Sequence, residues 1–469
     1  MSSAGASAAA RPGNSADQPV ATVVIVNYNG EHLLRDCLDA VRIQDMPPDS
    51  FRTVVVDNAS SDGSRELLRN EYPWVHLISS YRNRGFAGGN NLALETASTP
   101  YVALLNNDAV PEPDWLRLLL APLIEDEAGA VTAVASKILF RPRYLELRLK
   151  TDPFLPGGGD SRELGVRIHA VHVDDLDVTS AVVWDNAGYG QEQWPGQGAF
   201  RWSRPDASVL VPIPEGSRRR TVSLLLAANQ TKDVELAVGT RNVIATLQSG
   251  RSPVTVVLPA ADAPVVSIIN NAGGRVLKNG MGGDRGFGAI DDGAFDTAEE
   301  VFAFCGNGVA MRSEAGHRLG WFDDSFFMYY EDVDLSWRVR SSGGLIRYEP
   351  GAVLRHIHSA SSVAGSARWT FYVERNRLFS VTKNMRGSRA LRIVAGFAVS
   401  TIRSSLREEA HALRVRRRVP RDSGSRIRLR ALGSYLRALP RLLAARRSIG
   451  SAAVVSRRSL ENWLEDVPS

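Results

Sequence analysis

Cysteine, lysine and long apolar runs are scarce in this chain of 469 residues. Its two cysteines, Cys37 and Cys305, exclude a disulfide-stapled secreted scaffold and a cysteine-based zinc cluster, and they fit a reducing compartment. Residues 1–19 contain no apolar stretch, so we expect a flexible tail there rather than a signal peptide. The longest apolar stretch near the C-terminus, Ile393 to Ile402, has about ten residues, whereas a spanning helix needs roughly twenty. We therefore expect no transmembrane segment.

Positive charge is concentrated in the last part of the chain. Residues 386–469 contain 19 Arg, no Lys and 6 acidic residues, a net charge of +13, which leaves −8 for residues 1–385. An acidic body argues against a nucleic-acid partner, whereas a basic tail suits an anionic surface such as lipid headgroups, or is a solvated helical face. A leucine stripe predicts an amphipathic helix in this tail, with the arginines largely on its other faces: Leu429, Leu432, Leu436, Leu439 and Leu443.

Short valine-rich runs alternate with helical patterns in the first third of the chain. Their composition is that of parallel strands buried on both faces. The runs are Val20 to Asn27, Thr53 to Asp57, Val75 to Ser79 and Tyr101 to Asn106. Apolar spacing predicts the intervening helices around Leu33 to Val41, around Leu67 and Leu68, and over Asn91 to Ala97. This alternation predicts an open α/β sheet, in which ligands bind beyond the carboxyl ends of the strands.

A different texture follows Leu147, where Val, Leu and Thr runs recur without helical spacing between them. Gly, Pro, Asn and Asp separate these runs, which predicts an antiparallel sandwich. The candidate strands are Thr179 to Val183, Ser208 to Ile213, Thr221 to Ala227, Val234 to Val238, Val243 to Leu247, Val254 to Leu258 and Val265 to Ile269. The α/β texture resumes near Asn271, so we interpret this region as an insert.

Polar residues stand where three of the first strands end, at Asn27, Asp57 and Asp108. Because the carboxyl ends of parallel strands are neighbours, we expect these groups to converge on one crevice. Asp57 suits the imide N–H of a uracil or thymine ring, although it could instead begin an Asx turn. Asp108 offers a hard oxygen ligand for Mg²⁺ or Mn²⁺, but a single carboxylate is half of a metal site.

Two further segments carry chemistry. Residues 82–91 combine two arginines with three glycines at a helix start, which suits a diphosphate or sugar hydroxyls but equally an ordinary turn. Three carboxylates, Glu331, Asp332 and Asp334, follow an aromatic run, and we interpret them as a site for proton transfer. His356 ends another apolar run, and His358 would point to the opposite face of that strand.

Five motifs follow one another along the chain: Val23 to Asn29, Val56 to Ser64, Asn83 to Asn90, Leu105 to Asp108, and Gly320 to Arg338. In this order they resemble the motifs of the family 2 inverting glycosyltransferases of the GT-A fold, particularly the bacterial rhamnosyltransferase-like branch. The resemblance covers residues 20–145 and 270–385 and does not explain the β-rich insert. It implies a GT-A nucleotide-sugar-binding sheet, interrupted by a β-sandwich-like insert and followed by a basic α-helical C-terminal region.

The resemblance also implies a role for each residue of the site. Asp332 would be the catalytic base, and Asp108 and His356 would hold Mg²⁺ or Mn²⁺ against the donor diphosphate. Asn106 stands at the first position of the family's Asp-X-Asp motif, and its neutral amide is a poorer metal ligand. The nucleotide sugar would be bound by Asn27, Asn29, Asp57, Asn83, Arg84, Gly85, Asn90 and Asn107. The acceptor would be bound by Tyr330, Glu331 and Trp337.

The expected activity is inverting, metal-dependent transfer of rhamnose or a related hexose from a dTDP- or UDP-sugar to a glycan or lipid-linked glycan. The product would belong to a cell wall or surface polysaccharide, and the enzyme would be cytoplasmic or peripheral on the inner face of the cell membrane. Two alternatives stay open: a sugar nucleotidyltransferase, and a non-catalytic protein whose sandwich binds carbohydrate. The expected division of the chain is tail 1–19, catalytic parts 20–147 and 270–385, insert 148–269 and basic helical region 386–469.

Overall fold

The computed structural model describes residues 19–184, 187–194, 198–214, 216–217, 219–250, 252–357, 366–416 and 418–467. The expected N-terminal tail and His358 therefore lie outside the described residues, apart from residue 19. Two compact units are present, one made of residues up to Ile138 with Asn271–Gly286 and Phe295–Ser469, the other of Leu139–Asn270 with Phe287–Ala294.

The first part of the chain alternates strands and helices as expected. Its elements are β1 Ala21–Asn27, α1 Glu31–Arg42, β2 Phe51–Asp57, α2 Ser64–Glu71, β3 His76–Ser79, α3 Gly85–Leu94, β4 Tyr101–Asn106, β5 Ala109–Pro111, α4 Trp115–Glu125 and β6 Val131–Phe140. The third helix was expected over Asn91 to Ala97, and this is wrong. It begins at Gly85, because its glycine and asparagine residues pack closely against β1 and β2 instead of presenting an apolar stripe.

The insert is built from short strands. They are β7 Arg143–Thr151, β8 Arg167–Val173, β9 Leu176–Asp177, β10 Gly188–Trp194, β11 Gly198–Ser203, β12 Asp206–Ile213, β13 Thr221–Ala227, β14 Lys232–Val238, β15 Arg241–Leu247, β16 Val254–Pro259 and β17 Val265–Val266. One antiparallel sheet has the order β10-β11-β8-β13-β16 and the other β12-β7-β14-β15. Buried side chains of both sheets, such as Leu147 and Leu224, share one hydrophobic core, so the expected sandwich is confirmed.

Some strands of the insert differ from the expectation. Thr179 to Val183 is not a strand, because Asp177 accepts hydrogen bonds from the N–H and hydroxyl of Thr179 and turns the chain into a short 3₁₀ segment, Thr179–Ala181. The strand β7 was not predicted, although Leu145, Leu147 and Leu149 alternate with polar residues. The expected start of the insert at residue 148 falls inside β7.

After the insert the chain returns to the main sheet. The elements are β18 Ile269–Asn271, β19 Gly274–Val276, β20 Gly282–Asp284, β21 Glu299–Glu300, β22 Gly308–Arg312, α5 Ser313–Leu319, α6 Glu331–Ser341 and β23 Leu345–His356. The main sheet has the order β21-β23-β6-β22-β4-β1-β2-β3, in which β3, β2, β1 and β4 are parallel and β22 is antiparallel to β4.

The register of the parallel strands brings the predicted polar residues together. Asn27 pairs with Asp57, and Val26 pairs with Asn106, so β1, β2 and β4 end at the same level. The sheet beneath them is held by apolar side chains such as Val24, Ile25 and Leu105, all of which are buried. This hydrophobic support fixes the backbone from which the polar side chains project.

The C-terminal region is helical and basic, as expected. Its helices are α7 Ala367–Asn384, α8 Gly387–Arg414, α9 Gly424–Ser451 and α10 Arg457–Leu460. The predicted leucine stripe of α9 is divided: Leu432 and Leu439 pack against buried Tyr435 and its neighbours, whereas Leu429, Leu436 and Leu443 are exposed. None of the helices in the described part of the chain combines the length and apolarity that membrane spanning requires.

Candidate active site

A cavity of about 470 Å³ lies at the carboxyl ends of β1 and β4. It is enclosed by polar groups from the strand ends on one side and by Phe327, Met328 and Trp369 on the other. Five of the predicted residues line it, namely Asn29, Asn83, Gly85, Asn107 and Asp108. The convergence expected from the strand ends is therefore present in the structure.

Asn27 supports this cavity from below. It is fully buried, and its side-chain oxygen accepts a hydrogen bond of 2.7 Å from the amide of Asn107. Asn29 has a positive φ of 52°, and its side-chain oxygen accepts a hydrogen bond of 2.7 Å from the backbone N–H of Ser61. These bonds tie the turn after β1 to the turn after β2.

Asp57 is also fully buried. Its Oδ2 accepts hydrogen bonds from the guanidinium of Arg65 and the backbone N–H of Ser60. Its Oδ1 is buried and makes no hydrogen bond with any residue that the structure describes. An unpartnered carboxylate oxygen at this depth costs free energy unless a donor reaches it, so it suits a ligand N–H.

The glycine-rich segment closes against the aromatic wall. Gly85 has a φ of 71°, and a Cβ at this position would come within 2.1 Å of the carbonyl oxygen of Phe327. Asn58 was not assigned a role from the sequence. Its side-chain oxygen accepts a hydrogen bond of 2.9 Å from the backbone N–H of Arg84, and its side-chain nitrogen donates one of 2.9 Å to the carbonyl of Gly85. Only glycine fits the close approach of residue 85 to the Phe327 carbonyl, which explains why a glycine stands at the start of α3.

Four of the predicted donor-binding residues do not line the cavity: Asn27 and Asp57, described above, and Arg84 and Asn90. Asn90 is 2% exposed and donates its side-chain amide to the carbonyl of Phe86, one turn back in α3. Arg84 directs its side chain toward the ring of Tyr81 and has a buried Nε without a hydrogen bond. The role expected of Asn90 is corrected to a structural one, because its amide is used within the helix.

Asp108 and His356, the predicted metal ligands, are adjacent. Asp108 Oδ1 lies 3.1 Å from His356 Nε2, and no donor among the described residues completes a hydrogen bond to this buried oxygen. Two neighbouring ligands of an octahedral ion with bonds of about 2.1 Å are separated by about 3.0 Å, so the pair fits Mg²⁺ or Mn²⁺. Groups of three or more His, Cys, Asp or Glu ligands do not occur among the described residues, so ligand oxygens or water would complete the coordination.

A second cavity of about 390 Å³ adjoins the first. Both are lined by Phe86, Asn106, Met328, Tyr329 and Trp369. Asp108 lines the first cavity, while His356 and Asp332 line the second. The metal-ligand pair therefore stands at the junction of the two cavities.

Asp332 is held at the start of α6 by backbone donors. Its Oδ2 accepts from Gly306 N–H at 3.2 Å, and its Oδ1 accepts from Val333 N–H at 2.8 Å. Burial raises the pKa of Asp332 to about 6; these two N–H groups oppose the rise and the charge of Asp284 adds to it. Such a carboxylate is ionised at neutral pH yet is a stronger base than an exposed aspartate.

Glu331 and Asp334 behave differently from Asp332. Burial and the adjacent Asp332 charge raise the pKa of Glu331 well above its ordinary range. Asp334 turns away from the cavity and lies 2.8 Å from Lys383 Nζ and 3.0 Å from Arg338 Nε. The three carboxyl groups thus have different surroundings: Asp332 is held by backbone donors, the charged form of Glu331 is disfavoured, and Asp334 belongs to a structural ion pair.

Of the predicted acceptor-binding residues, Tyr330 and Glu331 line the second cavity and Trp337 does not. Tyr330 has its hydroxyl 3.1 Å from Gly282 N–H. Trp337 is 1% exposed and packs edge-on against Phe302, with ring centroids 4.8 Å apart. Trp337 is therefore a core residue, because α6 points this position away from the cavity that Asp332 faces.

The aromatic wall of the site is a strained loop held by α7. Phe327, Tyr329 and Tyr330 all have positive φ angles, of 66°, 67° and 71°. The side-chain amide of Asn376 lies within 2.7–2.9 Å of the carbonyl oxygens of Phe326, Met328 and Tyr329. This one amide satisfies the loop carbonyls and stabilises a backbone conformation that non-glycine residues rarely adopt.

Several residues of the two cavities were not found from the sequence. Asn307 lines the second cavity with a buried side-chain nitrogen that makes no hydrogen bond, and Asp284 lines the same cavity and accepts a hydrogen bond of 2.6 Å from Asn271. Trp369, on α7, lines both cavities. These residues are difficult to identify from the sequence, because each lies outside the five motifs described above.

The first part of the chain matches a known protein family. Residues 22–166 match the model of Glycosyl transferase family 2. Over 101 residues the chain is 31% identical to glycosyltransferase AglE of Haloferax volcanii, covering 21% of this chain and 33% of that protein. It is 32% identical over 117 residues to the succinoglycan biosynthesis protein ExoO of Rhizobium meliloti, covering 25% and 32%.

A third relative is the poly(ribitol-phosphate) beta-glucosyltransferase of Bacillus spizizenii, 32% identical over 91 residues, covering 19% of this chain and 14% of that protein. The chain thus spans a third or less of the length of these three relatives. A crystal structure of GalNAc-T7 with UDP, GalNAc and Mn²⁺ is similar with a TM-score of 0.43 and 13% identity, covering 78% of this chain and 48% of that chain. The expected fold class is confirmed: a GT-A-type α/β sheet that carries a β-sandwich insert and a basic helical C-terminal region, with residues 22–166 similar to Glycosyl transferase family 2.

Proposed function

We propose that the protein is an inverting glycosyltransferase of the family 2 type, with its donor in the first cavity and its acceptor in the second. The observation that carries this proposal is the junction of the two cavities, where Asp108 and His356 meet and Asp332 faces the acceptor side. The family match over residues 22–166 covers the strands that build the donor side.

The donor would be a UDP- or dTDP-sugar. The unpartnered Oδ1 of Asp57 supports this choice, because both uracil and thymine present an imide N–H to such an oxygen. Asn29, Asn83 and Asn107 line the first cavity and offer amide groups for ribose and sugar hydroxyls. Rhamnose or a related hexose is the transferred sugar that the rhamnosyltransferase-like resemblance favours.

Asp108 and His356 would hold Mg²⁺ or Mn²⁺. When bound, the ion supplies positive charge that stabilises the diphosphate leaving group. Asp108 provides a carboxylate oxygen without a hydrogen bond, and His356 provides an imidazole nitrogen from the end of β23. These two residues tie the donor side of the site to the acceptor side.

Asp332 would act as the base. The acceptor hydroxyl oxygen forms a bond to the anomeric carbon, the bond from that carbon to the diphosphate oxygen breaks, and the hydroxyl proton passes to the Asp332 carboxylate. One displacement of this kind inverts the anomeric configuration. Glu331 lies beside the base, and its raised pKa favours the protonated form, which donates a hydrogen bond to an acceptor oxygen.

The acceptor would be a glycan or a lipid-linked glycan that becomes part of a cell wall or surface polysaccharide. Two of the relatives named above support this class, since their names refer to succinoglycan and to a poly(ribitol-phosphate). We also propose a cytoplasmic location, with the protein peripheral on the inner face of the cell membrane.

The test is incubation with UDP- and dTDP-sugars and Mn²⁺, followed by detection of released nucleoside diphosphate and NMR assignment of the product's anomeric configuration. We expect release that depends on the metal and a product with inverted configuration. Pyrophosphate release from a nucleoside triphosphate and a sugar phosphate would instead establish a nucleotidyltransferase. Carbohydrate binding without any turnover would establish the non-catalytic alternative.

A further inference from the structure

The outer face of α8 carries a row of exposed apolar side chains. Leu391, Leu406 and Leu413 are 70%, 66% and 78% exposed, and Val399 and Ile402 are also exposed. At 3.6 residues per turn these positions fall on one face of the helix, extending over about six turns. A row of this length on a monomer marks an interaction surface rather than scattered surface residues.

The opposite face of α8 packs onto the protein. Phe397 is 4% exposed and Thr401 is fully buried, and Phe397 belongs to the hydrophobic cluster that includes Tyr435 of α9. Within the part of the chain that the structure describes, the exposed leucines therefore do not pack against other residues. Their exposure makes this face a candidate interaction surface.

Arginines run alongside the apolar row for most of its length. Arg392, Arg403 and Arg407 line a groove of about 660 Å³ whose floor includes Gly396 and Ser400. Among the described residues these three arginines form no ion pair, whereas Arg389 nearby is paired with Glu461. The groove is therefore positively charged and lined by small side chains, which suits a phosphate headgroup.

We propose that α8 docks lengthwise on an anionic membrane surface, with its leucine row among the acyl chains and Arg392, Arg403 and Arg407 at the lipid phosphates. A helix that carries apolar residues on one side of its exposed face and arginines on the other fits the boundary between acyl chains and headgroups.

The leucine stripe that the sequence predicts lies on α9, whereas the proposed membrane-binding face lies on α8. On α9, Leu432 and Leu439 pack into the protein, Arg430 lies 3.6 Å from Asp422, and the Arg441 guanidinium lies 6.0 Å from the ring centre of Phe379. The α9 side chains are thus partly engaged within the chain. The proposal does not depend on sugar transfer, because vesicle binding is measured without donor or acceptor.

The experiment is co-sedimentation of the full chain with vesicles of phosphatidylcholine and phosphatidylglycerol, compared with phosphatidylcholine alone. The variant Arg392→Glu/Arg403→Glu/Arg407→Glu is expected to bind anionic vesicles at least roughly a hundredfold more weakly, since each arginine contributes independently near an anionic surface. The charge-matched control is Arg430→Glu/Arg437→Glu/Arg441→Glu on α9, which should keep most of the binding. Equal losses in both variants would show attraction by net charge alone and overturn the proposal.

A second measurement locates the contact. An environment-sensitive fluorophore attached to Leu406→Cys or Leu413→Cys should shift to the blue on anionic vesicles, whereas the same label at Ile43→Cys, an exposed apolar position just after α1, should not. No shift at the α8 positions, or a dimer in solution that Leu406→Glu and Leu413→Glu dissociate, would overturn the membrane assignment. Circular dichroism of each variant confirms that the fold is retained.

Discussion

Asp332 and Glu331 are adjacent in sequence, but their carboxyl groups meet different surroundings. Two backbone N–H groups stabilise charge on Asp332, whereas Glu331 has a buried oxygen without any hydrogen-bond partner. This difference favours the charged form of Asp332 over that of Glu331. At the scale of single residues, therefore, backbone donors rather than residue type assign the base.

Asp332→Asn is expected to lower kcat by about 10²- to 10⁴-fold, because an amide cannot accept the acceptor proton. Donor binding, measured by titration calorimetry, should stay nearly unchanged. The matched control is Asp284→Asn, which removes a different carboxylate from the same cavity, keeps the Asp332 carboxylate and lowers its pKa only through the lost charge. If Asp284→Asn costs more kcat than Asp332→Asn, the base has been assigned to the wrong carboxylate.

The pH dependence of transfer follows from the same residue. Because the pKa of Asp332 is raised to about 6, the base is increasingly protonated below that pH, and kcat/KM should fall on the acid side with a midpoint near 6. A pH–rate profile of the wild type checks this. An acid limb near the ordinary aspartate pKa of about 4 would contradict the assignment.

Metal dependence is a prediction about Asp108 and His356. EDTA is expected to abolish transfer, and Asp108→Ala should weaken donor binding only when Mn²⁺ or Mg²⁺ is present, because the carboxylate acts on the diphosphate through the ion. Calorimetric donor titrations with and without metal measure the difference. Full activity in EDTA, or equal weakening in both titrations, would remove the metal from the proposal.

At the scale of elements, α6 and α7 are joined by a buried ionic cluster. Lys383 of α7 lies 2.8 Å from both Asp323 and Asp334, and Asn384 donates to Asp334 at 2.9 Å. Since α6 carries Asp332 and α7 carries Trp369, this cluster sets the relative position of base and cavity wall. The cluster could not be read from sequence, because its members are separated by about 50 positions.

Lys383→Met is expected to lower the free energy of unfolding by about 3–5 kcal/mol, because it leaves the buried Asp334 and the partly buried Asp323 without their shared partner. Lys278→Met is the matched control: Lys278 pairs with Asp466 at the surface, where loss of the pair costs about 0–1 kcal/mol. Chemical denaturation of both variants gives the comparison. Similar costs for the two variants would show that the cluster does not stabilise the helix pair.

Acid is expected to weaken the contribution of this cluster to the free energy of unfolding. Burial alone would raise the pKa of Asp323, but Lys383 and the hydrogen bonds from Ser325 hold it well below its ordinary range. A carboxyl with a depressed pKa contributes stability above its unfolded pKa, near 3.9, and this contribution disappears as pH falls through the lower folded value. The stability difference between wild type and Asp323→Asn, measured by chemical denaturation, should therefore shrink below about pH 4.

At the scale of the whole molecule, the alternation of valine-rich runs and helical patterns was enough to predict the α/β sheet and the sandwich insert. Strands β1, β2 and β4 could be placed because each is a continuous apolar run that ends in polar residues. The strand β7 was not predicted because charged residues alternate with its leucines. Trp337 and Asn90 were expected to bind ligands but are buried, because the sequence does not show which face of a helix points toward the site.

The presence of two hydrophobic cores leads to a calorimetric prediction. The sandwich has its own core around Leu224, and the main sheet has another around Leu116. Leu224→Ala is expected to lower the free energy of unfolding of the sandwich by about 2–5 kcal/mol and to shift one thermal transition. Leu116→Ala should shift the other transition. A single transition that both variants shift equally would show one cooperative unit.

The hydrogen bonds from Asn376 to the loop that carries Phe327, Tyr329 and Tyr330 have a consequence for redesign. Because an amide on α7 fixes the carbonyls of Phe326, Met328 and Tyr329, the path of the loop is set from outside the loop. Side chains at Met328 and Tyr329, which line both cavities, can therefore be exchanged in a library while the backbone keeps its course. If the proposed function holds, exchanging these two side chains should alter which sugars bind, and Asn376 is the residue that such a library must leave untouched.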